Sequence, residues 1–151
     1  MASSAELDSA YMDMAQRWSQ LSKAKRKKVG CLIVRDGIII SDGYNGTPSG
    51  FSNECEYSLI DSSAFHLGDK LSNLTTKPEV LHAESNAITK LARSTQSSYG
   101  STLYTTASPC VECAKLIIQA GIKRVVYQEQ YGGDAGIKLL SRAQVEVLCK
   151  E

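Results

Sequence analysis

Apolar side chains recur at helical spacing close to the N-terminus of the chain. Ser3 and Glu6 have the S-x-x-E spacing of a capping box, which marks the start of a helix. Behind them, apolar residues follow at intervals of three or four positions: Leu7, Tyr11, Met14 and Trp18. This pattern predicts an amphipathic helix over about residues 4–20. We expect its aromatic side chains to belong to the core rather than to a functional site.

Short apolar runs separated by turn residues come next. Val29–Val34 is strand-like, Arg35-Asp36-Gly37 is typical of a hairpin turn, and Ile38–Ser41 predicts the returning strand. Gly43–Gly50 is rich in Gly, Asn and Pro, which predicts a loop. Residues 51–78 carry a weaker pattern, which favours a helix near Glu54–Ser63 followed by a polar loop. So long a connection indicates a functional insertion.

Strands and helices alternate through the second half of the chain. The predicted elements are helix Val80–Ser94, strand Thr102–Thr106, helix Val111–Ala120 stopped by Gly121, strand Lys123–Gln128, helix Ala135–Arg142 and strand Val145–Leu148. A hairpin followed by such alternation predicts an α/β fold with a five-stranded mixed sheet flanked by helices on both faces. At 151 residues, we expect one domain over residues 1–151.

Composition excludes several classes of protein. Hydrophobic residues make up 42% of the chain, charged residues 22%, and the net charge is +1. No apolar run approaches the roughly 20 residues of a membrane span, and no signal-peptide pattern opens the chain. Five cysteines do not fit a disulfide framework, so we expect a reducing cytoplasm. A basic cluster precedes the first strand, and we interpret it as a solvated loop that offers one or two phosphate contacts: Lys23, Lys25, Arg26, Lys27 and Lys28.

Three short segments together have the residue types of a catalytic metal site: His82-Ala83-Glu84, Ser108-Pro109-Cys110 and Cys113. If a helix begins near the two cysteines, both sulfurs lie on one face, and the positive helix end favours thiolate. Catalytic zinc keeps three protein ligands and an open position for water, whereas structural zinc usually has four ligands. We therefore predict zinc ligation by His82, Cys110 and Cys113, with Glu84 carrying protons.

Two other interpretations of the cysteine pair stay open at this point. A lone C-x-x-C can be a redox pair, although no thioredoxin-like context surrounds this one. A structural zinc site would need a fourth ligand, for which the sequence offers Cys31, Cys55, His66 and Cys149. The pairing of His82 with Glu84, and of Cys110 with Pro109, favours the catalytic site instead.

Five segments of the chain carry a resemblance to a known family: VGCLIV (29–34), GYNGTPSG (43–50), HAESNAI (82–88), SPCVEC (108–113) and GIKRVVY (121–127). The H-x-E and P-C-x-x-C elements are shared by zinc nucleobase deaminases. The whole set resembles the deoxycytidylate (dCMP) deaminases of the bacteriophage type, within the zinc-dependent cytidine deaminase superfamily. The resemblance implies a three-layer cytidine deaminase-like fold.

The resemblance also implies an activity and a set of site residues. The reaction is hydrolysis of dCMP to dUMP and ammonia, which supplies thymidylate synthesis. The implied substrate contacts are Asn45 to the sugar, the backbone of Ala83, Ser108 and Pro109 to the pyrimidine, Tyr127 near the base or phosphate, and Arg26 to the phosphate. Family members are typically homohexamers activated by dCTP and inhibited by dTTP with Mg²⁺. The effector residues carried over are Gly43, Tyr44, Gly46 and Thr47.

The sequence departs from some phage relatives in its metal-binding residues, and it leaves competing functions to be weighed. Some phage relatives hold a second zinc ion in the insertion, but Cys55 and His66 are its only obvious remnants here, so we predict one zinc per chain. A deaminase that edits RNA or DNA would want a broad basic face, which a net charge of +1 does not favour. A deaminase of another cytosine nucleoside or nucleotide stays open, because one sequence cannot place the phosphate contact. A non-catalytic zinc-binding oligomer would have no need of Glu84. We therefore expect small nucleotides as ligands, and neither nucleic acid nor membrane as partner.

Overall fold

The computed structural model describes residues 1–58 and 74–151, and within them the chain alternates helices and strands largely as predicted. The helices are α1 (Ser4–Ser19), α2 (Ala83–Leu91), α3 (Val111–Gln119) and α4 (Ala135–Arg142). The strands are β1 (Gly30–Arg35), β2 (Ile38–Tyr44), β3 (Glu56–Ser58), β4 (Leu74–Thr76), β5 (Thr102–Ala107), β6 (Arg124–Glu129) and β7 (Glu146–Cys149).

Five of the strands form one mixed sheet in the order β2-β1-β5-β6-β7. β1 runs antiparallel to both β2 and β5, whereas β5, β6 and β7 are parallel. Helix α1 packs on one face of this sheet through Met12 and Ala15, and α2, α3 and α4 pack on the other face. The predicted five-stranded sheet flanked by helices is therefore confirmed. Strands β3 and β4 form a separate antiparallel ribbon.

Local sequence signals account for most element boundaries. The capping box forms at the start of α1, where the Ser3 amide donates to Glu6 and the Glu6 amide donates to the Ser3 hydroxyl. The β1–β2 turn places Asp36 and Gly37 in the left-handed region, at φ 51° and 74°, as a two-residue hairpin requires. No helix in the described part of the chain is long and apolar enough to cross a membrane.

The predicted buried face of α1 is wrong in part. Tyr11 packs beside the core, with its ring centroid 5.1 Å from that of Tyr104, but Trp18 is 36% exposed, and Leu7 and Met14 are exposed as well. The face that meets the sheet instead carries Asp8, Met12, Ala15 and Ser19. The polar members of this face are tolerated because they are hydrogen-bonded: Asp8 to Arg124 and Tyr104, and Ser19 to the Gln16 carbonyl.

The helix predicted near Glu54–Ser63 is wrong where the structure describes it, because Glu56–Ser58 is the strand β3. Its pairing with β4, which lies far along the chain, overrides the weak local preference. Residues 59–63 lie outside the described residues, as does His66.

Candidate active site

The ends of two helices bring the predicted metal ligands together. His82 is the N-cap of α2 and Cys110 is the N-cap of α3, both with extended backbone. The helix was predicted to begin earlier, at Val80, but Leu81 pairs with Gly46 through two backbone hydrogen bonds. This bridge keeps the chain extended until His82, so the imidazole stands in front of the helix rather than within its first turn.

The three ligand atoms form a cluster of the size that zinc requires. His82 Nδ1 lies 3.5 Å from Cys110 Sγ and 3.3 Å from Cys113 Sγ, and all three ligand atoms lie within 4.8 Å of one another. Zn–S bonds of about 2.3 Å and Zn–N bonds of about 2.0 Å in a tetrahedron separate N from S by about 3.5 Å. The observed distances therefore fit a zinc ion bound by one nitrogen and two sulfurs.

Three ligands within the described residues favour one of the two kinds of zinc site. Within residues 1–58 and 74–151, no fourth histidine, cysteine or acidic side chain joins the group. Cys31 is buried in the core under α2, and Cys55 lies in the wall of the pocket described below. A three-ligand site of this kind is typical of catalytic zinc, which keeps one coordination position open.

Hydrogen bonds between the clustered side chains shift the pKa values of the two thiols in opposite directions. Hydrogen bonds from the Cys113 thiol, His82 and the Cys113 amide lower the pKa of Cys110 to about 3. The same hydrogen bond, together with burial, raises the pKa of Cys113. One thiolate thus forms readily, and a bound cation favours release of the second proton as well.

Glu84 lies in the first turn of α2 and points into the same pocket as the metal ligands. Its side chain is almost fully enclosed, since the residue is only 4% exposed. Burial raises the pKa of this carboxyl above its ordinary value, against opposing contributions from His82 and Cys113. A carboxyl whose pKa is raised holds a proton more readily than an exposed one, which favours its use as a general acid as well as a base.

These groups line a pocket of about 350 Å³. Its wall combines the metal ligands His82 and Cys110, the acid Glu84, two cations from the basic cluster, and a tyrosine. The lining residues are Ala24, Arg26, Lys27, Val29, Asn45, Cys55, Glu56, Thr76, His82, Ala83, Glu84, Ala107, Ser108, Cys110, Tyr131 and Gly132. An anionic ligand of nucleotide size therefore finds metal ligands, an acid and cations in one cavity.

Comparison with known proteins identifies the family to which the chain belongs. Residues 5–129 match the cytidine and deoxycytidylate deaminase zinc-binding region. The deoxycytidylate deaminase of Enterobacteria phage T4 is 38% identical, over 82% of this chain and 78% of that protein. That of Mycobacterium phage D29 is 35% identical, over 82% of this chain and 94% of that protein.

The chain belongs to the cytidine and deoxycytidylate deaminase family. Among solved structures, the dCMP deaminase of cyanophage S-TIM5, crystallised with dCMP and dUMP, has a TM-score of 0.84 to this chain. The two are 43% identical, and the alignment covers 99% of this chain and 100% of that chain. The predicted three-layer cytidine deaminase-like fold is thereby confirmed.

Of the predicted pyrimidine-contacting residues, Ala83 and Ser108 line the pocket, whereas Pro109 is fully buried and is not among the described residues that line it. The Ser108 hydroxyl donates to the Tyr131 carbonyl and accepts from the Tyr131 amide, at 3.2 and 2.9 Å. Ser108 therefore fastens the loop after β6 to the loop that carries the cysteines.

Asn45 lines the pocket, and its side-chain amide holds in place the basic segment, residues 23–28, which contains the basic cluster. Its Nδ2 donates to the Lys27 carbonyl at 2.8 Å, and its Oδ1 accepts from the Val29 amide at 2.9 Å. One N–H and one lone pair of the amide remain for a ligand. The predicted contact to a sugar hydroxyl is thus compatible with this packing.

The tyrosine that lines the pocket is Tyr131 and not the predicted Tyr127. Tyr127 is a buried residue of β6 and is not among the described residues that line the pocket. Tyr131 lines it instead, and Lys27 Nζ lies 5.3 Å from the centroid of its ring. Sequence reasoning missed Tyr131 because it follows the strand in a polar loop, and its attachment to Ser108 is visible only in three dimensions.

The four predicted effector residues have different surroundings. Gly43 is buried where β2 meets α2, and a Cβ there would lie 2.4 Å from the Ala83 carbonyl oxygen and 2.8 Å from the Ala87 amide. Close packing therefore accounts for this glycine. Tyr44 is exposed, Gly46 pairs with Leu81, and the Thr47 hydroxyl donates to the Ser52 carbonyl.

Proposed function

We propose that this protein is a zinc-dependent dCMP deaminase, which hydrolyses dCMP to dUMP and releases ammonia. The observation that carries this proposal is the pocket itself, which joins a three-ligand metal site and a buried acid to the cations of the basic segment. The phage relatives bear the same name, and the cyanophage structure contains dCMP and dUMP. We assign the activity to a single domain over residues 1–151, acting in the cytoplasm.

His82, Cys110 and Cys113 would hold one zinc ion, which when bound would supply the Lewis acidity that activates water at neutral pH. Glu84 takes up the proton released as water attacks C4 of the cytosine ring. It then gives that proton to ring N3. It next carries the second proton of the water from the new C4 hydroxyl to the amino group, so that the C4–N bond breaks, ammonia leaves and the C4 carbonyl of uracil forms. Because the pKa of Glu84 is raised by burial, the carboxyl is suited to both halves of this transfer.

The remaining pocket residues are assigned to binding. The backbone of Ala83 and of Ser108-Pro109 reads the edge of the pyrimidine, and Asn45 binds the sugar. Arg26 binds the phosphate. We replace Tyr127 with Tyr131 as the aromatic residue beside the ligand, because Tyr131 lies in the pocket wall next to Lys27.

Replacement of Glu84 by Gln tests the proposal. We expect ammonia release from dCMP to fall by at least about 10²–10⁴-fold, because the amide cannot carry the proton. The zinc content and melting temperature are expected to remain at wild-type values. Glu112→Gln is the matched control, because Glu112 lies beside the cysteines in α3 but is exposed and pairs with Lys115. Equal turnover by Glu84→Gln and wild type would refute the assignment.

We further propose control by nucleotides and assembly into a homohexamer. By resemblance to the family, dCTP with Mg²⁺ activates the deaminase and dTTP with Mg²⁺ inhibits it. We assign their binding site to Tyr44, Gly46 and Thr47, beside the buried Gly43. The exposed apolar side chains of α1, including Met14 and Trp18, offer area for contacts between subunits. Rates with and without each effector, and mass determination in solution, test both statements. A rate that neither nucleotide changes would contradict the proposed control, and a monomer in solution would contradict the proposed assembly.

A further inference from the structure

The basic segment of the pocket is fixed at both ends, and its middle is held by the β3–β4 ribbon. At one end, the Ser22 hydroxyl donates to the Asn45 carbonyl at 2.8 Å. At the other end, the Asn45 amide binds the Lys27 carbonyl and the Val29 amide. Between these two anchors, Lys25 and Arg26 are exposed residues whose backbone amides donate to Glu56.

Glu56 makes this contact with a single carboxylate oxygen. Its Oε1 accepts the Lys25 amide at 2.7 Å and the Arg26 amide at 3.1 Å. Two consecutive amides that converge on one anionic oxygen form charge-assisted hydrogen bonds, which are stronger than neutral ones. Because the carboxylate is engaged by the backbone, it fixes the course of the segment without forming a side-chain ion pair with Arg26.

Thr76 provides a second anchor from the neighbouring strand. It lies directly opposite Glu56 in the β3–β4 register, and its hydroxyl accepts from Arg26 Nη1 at 3.3 Å. Both residues line the pocket, as does Arg26. One cross-strand pair therefore positions the backbone and the guanidinium of the same residue.

The two cations of the pocket differ in what neutralises them. Lys27 forms an ion pair with Glu129 and lies over the Tyr131 ring. The Arg26 guanidinium contacts the neutral hydroxyl of Thr76, and no ion pair joins it to a carboxylate of residues 1–58 or 74–151. Its charge thus remains available to an anion in the pocket.

We infer that Glu56 and Thr76 are positioning residues that orient Arg26 toward the phosphate of the nucleotide, and so set the preference for a nucleoside monophosphate over a nucleoside. This inference rests on the proposed function and deepens it. The ribbon acts through Arg26, and neither of its two residues takes part in the chemical step.

The test compares dCMP with deoxycytidine, which lacks the phosphate, in the zinc-loaded protein. For Glu56→Ala, we expect the ratio of kcat/KM for dCMP to that for deoxycytidine to fall about tenfold, because two charge-assisted hydrogen bonds are lost. The loss should appear in KM more than in kcat. Glu56→Gln should recover most of the ratio, because its side-chain oxygen still accepts both amides. Thr76→Val should lower the ratio roughly threefold, as for one neutral hydrogen bond.

Thr75→Val is the matched control, since Thr75 is exposed and occupies the opposite face of the same strand. It should behave as the wild type. A second readout without turnover is calorimetric binding of dUMP against deoxyuridine, in which Glu56→Ala should weaken only dUMP.

Three results would overturn the inference. An unchanged ratio in Glu56→Ala would show that the ribbon does not act on the phosphate. Equal loss for both substrates, with a lower melting temperature, would assign Glu56 a general structural role. A higher ratio would mean that the carboxylate competes with the phosphate. If the wild type deaminates neither dCMP nor deoxycytidine, the proposed function fails instead, and dUMP binding still tests the ribbon.

Discussion

Replacement of Gly136 by Ala should destabilise this protein, although the same change stabilises most helices. Gly136 is a buried residue of the first turn of α4, beneath the loop that carries Cys110. A Cβ at this position would lie 1.9 Å from the Pro109 carbonyl oxygen and 2.8 Å from the Cys110 carbonyl carbon. The metal loop would have to retreat by more than 1 Å to restore 3.0 Å, the shortest separation that real Cβ atoms show.

Two opposing terms set the size of the effect. Overpacking of a core costs about 1–3 kcal/mol, and we take the upper end because the obstacle is backbone that is itself enclosed. The gain in helix propensity from Gly to Ala is about 1 kcal/mol. The net loss of about 2 kcal/mol corresponds to a fall in melting temperature of about 4–8 °C in a chain of this size. Ligand distances in metal sites lie within about 0.2 Å of their standard values, so displacement of the loop that carries Cys110 should lower the affinity for zinc as well.

Thermal melting and zinc titration of Gly136→Ala check both numbers. Ser141→Ala is the control, because Ser141 is exposed on the same helix and should gain a few tenths of a kcal/mol from propensity alone. If Gly136→Ala melts above the wild type and binds zinc equally well, the close contact between α4 and the metal loop is not as described.

Three further predictions concern the metal, the pocket and the buried ion pair. Cys113→Ala should lose stoichiometric zinc, measured by metal analysis of the purified protein, and normal zinc content would contradict the ligand set. Tyr131→Ala should raise KM for dCMP several-fold with little change in melting temperature, and an unchanged KM would remove Tyr131 from the binding wall. Hydrogen bonds from Arg124 hold the pKa of Asp8 below its ordinary value. The ion pair therefore contributes stability above the unfolded-state pKa, and this contribution is lost as pH falls through the lower folded-state pKa. Acid denaturation of Asp8→Asn should lack this component, and identical pH profiles would contradict the assignment.

The parts of the fold that could be predicted from the sequence are those set by neighbouring residues. The capping box of Ser3 and Glu6, the hairpin turn at Asp36-Gly37 and the stop at Gly121 are local signals, and all of them form as predicted. The proposed metal ligands could be predicted in the same way, because the spacing of Cys110 and Cys113 and the residue types at His82 and Glu84 restrict the chemistry.

Features that depend on contacts between residues far apart in the sequence could not be predicted from local patterns. α1 carries two stripes that could meet the sheet, and the stripe that does so contains Asp8, whose partners Arg124 and Tyr104 lie about a hundred residues away. Likewise, Glu56 lies in a segment whose hydrophobic pattern is weak. Its contact with the basic segment depends on the pairing of β3 with β4 and is seen only in the folded chain.

We propose that one pocket of this protein combines zinc chemistry with recognition of a nucleoside monophosphate. Ammonia release by the zinc-loaded protein from dCMP, CMP, deoxycytidine and dCTP, at matched concentrations, tests it most directly. We expect the highest kcat/KM for dCMP, loss of turnover when zinc is removed, and recovery of turnover when zinc is restored. Preference for deoxycytidine, or no turnover of any of the four, would contradict it.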